Sequence, residues 1–425
     1  VSPDDPFAPH PAPHPAPPTG APHPVRSLTD PADRRRAFDL FLGTLHHGPI
    51  TDDAWEAHGQ APDEHWLGVA DPSGAVVGSA YSFPTRLTLP GGARVPAAAV
   101  SGVGVRPDRT RAGRLTALMR AQLTAARDRG DVAAVLRASE AGIYGRYGYG
   151  VASRADQVRV TAGAAWRPEA PAGGTVRMLD PDEATALLPG LQERLAADRP
   201  GGMTRSARWW RRALRPAGPP AGEYKGVAVH TGSDGVDDGF VVWGVAEGDL
   251  ATGGTDEVRV QQLWAAGPAA TAGLWRFLTG LDLAGAVTSW ARPLDEDLDL
   301  VLADSRAHRV TGRGDDLWLR LLDPDAALRA RAWGPGGPVV LRVHDAFLGD
   351  TGTWRLADGA AEPTAGTDPD LECTVDALAA AFLGDRSPSS LVAAGRWREH
   401  TPGARARADA LFAVPGPAPW CGTFF

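Results

Sequence analysis

Between Arg106 and Met119 the chain reads RPDRTRAGRLTALM, which sets Arg109, Arg111 and Arg114 around Gly113 just ahead of an apolar helical pattern. That combination suits an anion. The first N–H groups of a helix have no partner within it, and with the helix dipole they favour a phosphate or pyrophosphate. Gly113 has no Cβ to hold a ligand away from the backbone. A solvated basic helix start is the plainer reading of the same residues. A nucleotide-hydrolase P-loop does not fit, because there is no GxxxxGKS/T and no lysine at this point. The dinucleotide fingerprint fails too, since Pro107 stands where its third glycine would be. No GxSxG elbow and no HExxH pair argue for serine or metal hydrolysis; no metal site is expected.

The elements around that stretch alternate. DPADRRRAFDLFLGTLHH spaces Phe38, Phe41, Leu42 and Leu45 as one helix face. Strands are expected at HWLGVAD, AVVGSAYSFPTRLTLP and VPAAAVSGVGV, separated by Pro-Ser-Gly and Pro-Gly-Gly turns. A helix from near Arg111 then carries Leu115, Leu118, Met119 and Leu123 on one side. DVAAVLRAS reads as a buried strand, and EAGIYGRYGYG as a glycine-interrupted turn or short helix. This is an α/β layer with a mixed sheet. TAGAAWRPEAPAGG reads as a linker, followed by a second mixed region with strands at YKGVAVH, GFVVWGVAEG and EVRVQQLWAAG and a helix from Pro268. DDLWLRLLDPDAALRARAWG leads into a third region with strands at PVVLRVHD and GTWRLADG and helices at DALAAAFLG and SLVAAGR. The first two regions could share a fold.

At 425 residues the length suits about three domains. A net charge of −8 argues against a nucleic-acid partner, which calls for a basic face. Cys373 and Cys421 are too few for a disulfide framework or a cysteine zinc site, and a cytoplasmic setting with free thiols is expected. No apolar run is long enough to span a bilayer, so no membrane partner is expected. Residues 1–24 alternate proline with alanine and histidine; an extended or disordered tail is expected, with His10, His14 and His23 solvated.

VGVRPDRTRAGRLTALM resembles the acetyl-CoA-binding motif of the GCN5-related N-acetyltransferases (GNAT), and ASEAGIYGRYGYG resembles the matching segment of their Eis subfamily. GPITDDAW, LWLRLLDPDAALRAR and the terminal TFF match further stretches in the same order, so the likeness runs from about Val25 to Phe425. The resemblance implies an α/β (mixed α+β) fold class: a catalytic GNAT domain (25–163), a second, degenerate GNAT-like domain (164–317) and a sterol-carrier-protein-like α+β domain (318–425). It also implies a homo-oligomer, a hexamer, that acetylates amines, aminoglycosides among them. The backbone of Val103, Gly104 and Val105 would pair with the pantetheine arm of acetyl-CoA, with an N–H near Val105 polarising the thioester carbonyl. Amides of Arg109, Thr110, Arg111, Ala112, Gly113, Arg114 and Leu115 would hold its pyrophosphate. Tyr144 would be the general acid, since ordinary phenol and thiol pKa values of about 10 and 8.5 are close enough for proton transfer. The main-chain carboxylate of Phe425 would be the base, ionised at neutral pH; packed aromatic and frayed end are the plainer readings of these two residues.

The chain departs from the family at three places. The Gln/Arg-x-x-Gly-x-Gly/Ala signature stands as Thr110-x-x-Gly113-x-Leu115. Near the acceptor entrance Trp55 is kept, but Leu45 and His46 replace an aspartate and a phenylalanine, which weakens attraction for polycations. Arg137 replaces a histidine before the ASE segment. With His46, Trp55 and Arg137 lining the acceptor side, a less cationic amine, on a small molecule or peptide, suits the site better than an aminoglycoside. The competing expectation is a non-catalytic lipid or small-molecule carrier built on the carboxy-terminal domain.

Overall fold

Asp30 caps the first helix, α1 (Pro31–Thr44), by accepting from the Ala32 N–H at 2.8 Å, and Pro31 fits its first turn, where a backbone N–H would have no helical partner. The structure is a computed structural model that describes residues 23–58, 63–214, 225–248, 254–357 and 359–425. Strand β1 (Val25–Ser27) precedes α1, and α2 (Asp52–His58), β2 (His65–Ala70), β3 (Val76–Thr88), β4 (Arg94–Val105), α3 (Arg114–Asp128), β5 (Ala133–Leu136), α4 (Ala141–Tyr144) and β6 (Gly150–Thr161) follow. Next come β7 (Thr175–Met178), α5 (Pro181–Ala197), α6 (Ala207–Leu214), β8 (Lys225–Thr231), β9 (Asp237–Ala246), β10 (Asp256–Ala265), α7 (Pro268–Thr279), β11 (Ala284–Arg292), α8 (Leu298–Val301) and β12 (His308–Leu321). The last stretch holds α9 (Pro324–Ala330), β13 (Val339–Asp345), β14 (Asp350–Ala357), β15 (Ala360–Pro363), β16 (Leu371–Thr374), α10 (Val375–Phe382), α11 (Pro388–Ala393), β17 (Trp397–Glu399) and α12 (Ala404–Phe412).

The chain divides into two units: residues up to Ser153 with Leu317–Gly416 and Phe425 in one, and Arg154–Asp316 with Pro417–Phe424 in the other. In the first unit β1 to β4 form an antiparallel meander, β5 joins β4 in parallel, and Trp318–Leu321 of β12 pair antiparallel with β5. Small residues let the layers approach: Ala97, Ala98 and Ala99 of β4 are fully buried under α1 and α3. The same unit holds a second sheet in the order β15-β14-β13-β16-β17, covered by α10 to α12. In the second unit β10, α7 and β11 repeat the parallel strand–helix–strand arrangement of β4, α3 and β5, around a core of Val241, Trp243, Leu274, Trp275 and Val287. The shared fold expected of the first two regions is therefore visible in the pairing, and the five-stranded sheet with its helices forms an α+β part after them.

Several boundaries differ from expectation. The helix expected near Arg111 begins at Arg114, because Arg111 and Gly113 both take left-handed φ values, 60° and 82°. The strand in DVAAVLRAS covers only Ala133–Leu136. The expected linker from Thr161 to Gly174 is ordered on the second unit: Trp166 bridges Leu302, and the Arg276 guanidinium lies 4.6 Å from its ring centre. Of the expected tail, residues 1–22 lie outside the described residues. His23 is not simply solvated, since its Nε2 donates to the Ala112 carbonyl at 2.5 Å. Cys373 and Cys421 are free and buried. No helix among the described residues is long and apolar enough to cross a membrane.

Arg331 shows what stabilises the carboxy-terminal α+β part. It is 2% exposed and donates to the carbonyls of Phe382, Ala332 and Phe412 at 2.8, 2.6 and 2.7 Å. Burial pushes its pKa down to about 9, still above neutrality, so the charge persists. Arg331→Ala strands buried carbonyls and opens a cavity, and is expected to lower unfolding free energy by about 3 kcal/mol in a denaturant titration.

Candidate active site

Strand β4 is the axis of the site. Its parallel pairing with β5 runs through Ala97–Ala133, Ala98–Ala134 and Ala99–Val135, whereas its antiparallel pairing with β3 continues to Gly104 and Val105. Past Ala99 the two parallel strands part, and the β4 edge from Val100 to Val105 faces the gap. Gly102 helps make that geometry. It sits at φ 61° where the β3–β4 register shifts, and a Cβ there would press into the Tyr81 ring. Backbone groups of Val103, Gly104 and Val105 are thus available to an extended ligand along an open strand edge.

The loop after β4 turns through Pro107–Arg109 and reaches α3 at Gly113, whose helix start carries no side-chain cap. Amides from Arg109 to Leu115 therefore surround an uncapped helix N-terminus. The arginines are less alike than the sequence suggests. Arg109 and Arg106 both pair with Asp108, at 2.9 and 2.7 Å, which offsets part of their charge. Arg114 donates to the Arg109 carbonyl at 2.9 Å and so braces the loop, while Arg111 is exposed. Thr110 donates from its hydroxyl to the Pro107 carbonyl at 3.1 Å, a local contact where the family pattern has a long polar side chain.

Tyr144 closes the other side. Its ring meets Tyr149 at 5.9 Å and Trp318 at 6.4 Å, and Trp318 belongs to the strand that adds beyond β5. Val103 and Leu115 pack into the same cluster, so the strand edge, the helix start and this phenol share one apolar neighbourhood. Burial, helped by Tyr147 and Glu140, pushes the Tyr144 pKa up to about 12. The near match between ordinary phenol and thiol values therefore does not hold for this residue in isolation. The platform beneath is fixed by Arg320, which is fully buried, donates to Leu321 O at 2.9 Å and pairs with Asp345.

Where the acceptor side is expected, Trp55 stacks on His58 at 5.3 Å and packs with Phe38 and Trp66. Phe83 joins this cluster, and the ring of Phe425 meets Phe83 edge-on at 5.7 Å. Register carries Phe83 to Ala99, the last β4 residue paired with β5, so Phe425 sits at the level where the strands part. His46 is exposed, in a left-handed turn (φ 62°) after α1, and the structure does not bring it into the aromatic cluster. Arg137 lies half-buried just past β5.

Sequence reasoning missed Phe83, although the alternation of Tyr81 and Phe83 along β3 signals an aromatic face. It also missed how the last residues are held within the second unit. There Arg205, half-buried with its guanidinium 4.0 Å from the Trp209 ring centre, donates to Gly422 O at 2.7 Å and Thr423 Oγ1 at 3.1 Å, while Trp209 Nε1 donates to Phe424 O at 2.8 Å. Burial pushes the Arg205 pKa down to about 9, which leaves it charged at neutral pH. Only the paired tryptophans Trp209 and Trp210 hinted at this.

Known proteins share this fold. Residues 24–152 and 201–329 each match an acetyltransferase (GNAT) domain family, and residues 324–422 match a sterol carrier protein domain family. An uncharacterized N-acetyltransferase of Streptomyces griseus is 38% identical over 375 residues, covering 83% of this chain and 88% of the relative. The N-acetyltransferase Eis of Mycobacterium tuberculosis is 33% identical over 382 residues, covering 87% and 91%. The crystal structure of Eis1 from Mycobacterium abscessus superposes with a TM-score of 0.84 at 35% identity, over 95% of this chain and all of that one. Two GNAT domains with a sterol-carrier domain, and relatives of this identity over most of the chain, place the protein in the Eis-like family of GCN5-related N-acetyltransferases, and it is an acyltransferase.

Proposed function

We propose that the protein transfers an acetyl group from acetyl-CoA to a primary amine of a small molecule or peptide by direct attack, with Tyr144 as general acid and a main-chain carboxylate on Phe425 as base. The observation that carries this is the shared cluster of Val103, Leu115 and Tyr144 beside the open β4 edge. Acetyl-CoA supplies an activated thioester. The β4 edge would take its pantetheine arm as an added strand, and the uncapped start of α3 would take its pyrophosphate. An N–H near Val105 would polarise the thioester carbonyl as charge builds on its oxygen. The Phe425 carboxylate would accept the ammonium's proton, and Tyr144 would protonate the departing sulfur. The same burial that raises the phenol's pKa raises that of a thiolate leaving beside it, which keeps the two comparable.

Trp55 and the neighbouring aromatics suit an acceptor with an apolar body; His46 and Arg137 would line its approach. Assembly as a hexamer, a cytoplasmic setting and the division at residues 163 and 317 belong to the same reading. A carrier role has less support, because a carrier needs neither Tyr144 nor an aromatic carboxy terminus; the place to look for a carried ligand is a cavity of about 310 Å³ lined by Leu322, Val343, Trp354 and Val375 together with Asp323 and Asp325. Thiol release from acetyl-CoA against an amine panel tests the proposal, and no turnover with any amine rejects it. Gly113→Ala is expected to raise KM for acetyl-CoA about 10-fold with little change in kcat, because a Cβ at φ 82° costs about 1–2 kcal/mol.

A further inference from the structure

Away from these residues, where the edge strands β1 and β2 meet the carboxy-terminal half of α3, lies a cavity of about 270 Å³. Gln122 of α3 lines it and is 2% exposed, yet neither its amide nitrogen nor its amide oxygen has a hydrogen-bond partner among the described residues. A buried amide left in that state is costly, so the site calls for something to pair with it. The charged neighbours are already engaged: Glu64 accepts from Trp66 Nε1 at 2.9 Å, Arg34 donates to Leu28 O at 2.8 Å, and Arg129 pairs with Asp131 at 3.1 Å. His65, at the exposed rim, has its pKa pushed below the usual imidazole value by burial and by Arg129, and is uncharged at neutral pH. Among the described residues lining the cavity, the buried polar atoms left unpaired are the Gln122 amide nitrogen, a donor, and the amide oxygen beside it, an acceptor.

That pattern selects its partner. A carboxylate offers two acceptors and a guanidinium two donors, and each would leave one Gln122 atom opposed. A cis-amide edge, N–H beside C=O, satisfies both in one plane. The apolar walls, Trp66 and Leu28, suit the faces of a ring. A cavity of about 150 Å³ accommodates benzene, so this one holds a molecule of one or two rings. We propose that this cavity binds a small neutral ring compound carrying a lactam edge, of the pyridone or nucleobase type, paired to the Gln122 amide.

The test uses 2-pyridone and N-methyl-2-pyridone, which share a ring and differ in the donor. Isothermal titration on the whole protein should show 2-pyridone binding at least about 10-fold more tightly, because the methylated compound leaves the Gln122 oxygen unpaired. Gln122→Leu should erase that preference. Crystals soaked with 2-pyridone should place its amide edge in the plane of the Gln122 amide. Equal affinity for the two compounds overturns the proposal. So does absence of binding to the native protein up to about 10 mM, with only ordered water on Gln122. Neither result bears on acetyl transfer, which is measured separately by thiol release.

Discussion

Tyr144→Phe is expected to bind acetyl-CoA as the native enzyme does and to lose about 100- to 1,000-fold in kcat, the range typical of a removed general acid. The substitution keeps the ring, so the packing against Tyr149 and Trp318 survives and only the hydroxyl is lost. Burial holds the phenol's pKa up at about 12, so it is protonated at every pH at which the assay runs. The sign follows: Tyr144 itself imposes no alkaline loss of activity until the pH approaches 12. An alkaline limb at lower pH would belong to another group and should survive in the variant. Steady-state kinetics paired with acetyl-CoA titration separates the outcomes. A raised dissociation constant with unchanged kcat would mean that the hydroxyl serves binding, and near-native turnover removes Tyr144 as the acid.

How much of this was legible in the sequence depends on the range of the interaction. Local signals read well. The existence of α3 follows from the apolar spacing after Gly113, although its start falls at Arg114 and not near Arg111, and the IYGRYGYG turn announces itself by its glycines. The parallel β4–α3–β5 unit follows from a small-residue strand, a helix and a buried apolar run. What escaped is set by contacts across long separations. Trp318 reaches Tyr144, Arg320 pairs with Asp345, and Arg205 holds Gly422 and Thr423. No spacing rule links such residues, because a strand that adds beyond β5 is chosen by the whole sheet. Charge was misjudged for the same reason at shorter range. Three arginines in a loop read as a basic patch, whereas Asp108 engages Arg106 and Arg109 once the turn forms. His46 illustrates a further limit: its place in the segment that leads to the matched Trp55 did not bring it into the aromatic cluster.

Converting the Phe425 carboxylate to an amide, or extending the chain beyond it by two glycines, is expected to lower kcat about 100-fold while acetyl-CoA binding is unchanged. The ring of Phe425 rests on Phe83, at the level where β4 and β5 part, and the proposed mechanism uses that contact to hold the residue's main chain toward the reacting end. An ammonium cannot attack until it loses a proton, and an α-carboxylate, ionised at neutral pH, can take it directly or through water. The amide keeps size and hydrogen-bonding reach but has no charge and no useful basicity, so it isolates proton transfer from packing. Phe425→Ala keeps the carboxylate and removes the ring. It should weaken the positioning, with a loss nearer 10-fold and shared between kcat and KM for the amine. An acceptor amine of low pKa, already uncharged at neutral pH, should be acetylated almost equally by the native and amidated enzymes. That selective rescue is the signature of a lost base. Full activity of the amidated enzyme toward a fully protonated amine would instead assign the proton to water or another side chain, with Phe425 serving only as an aromatic wall.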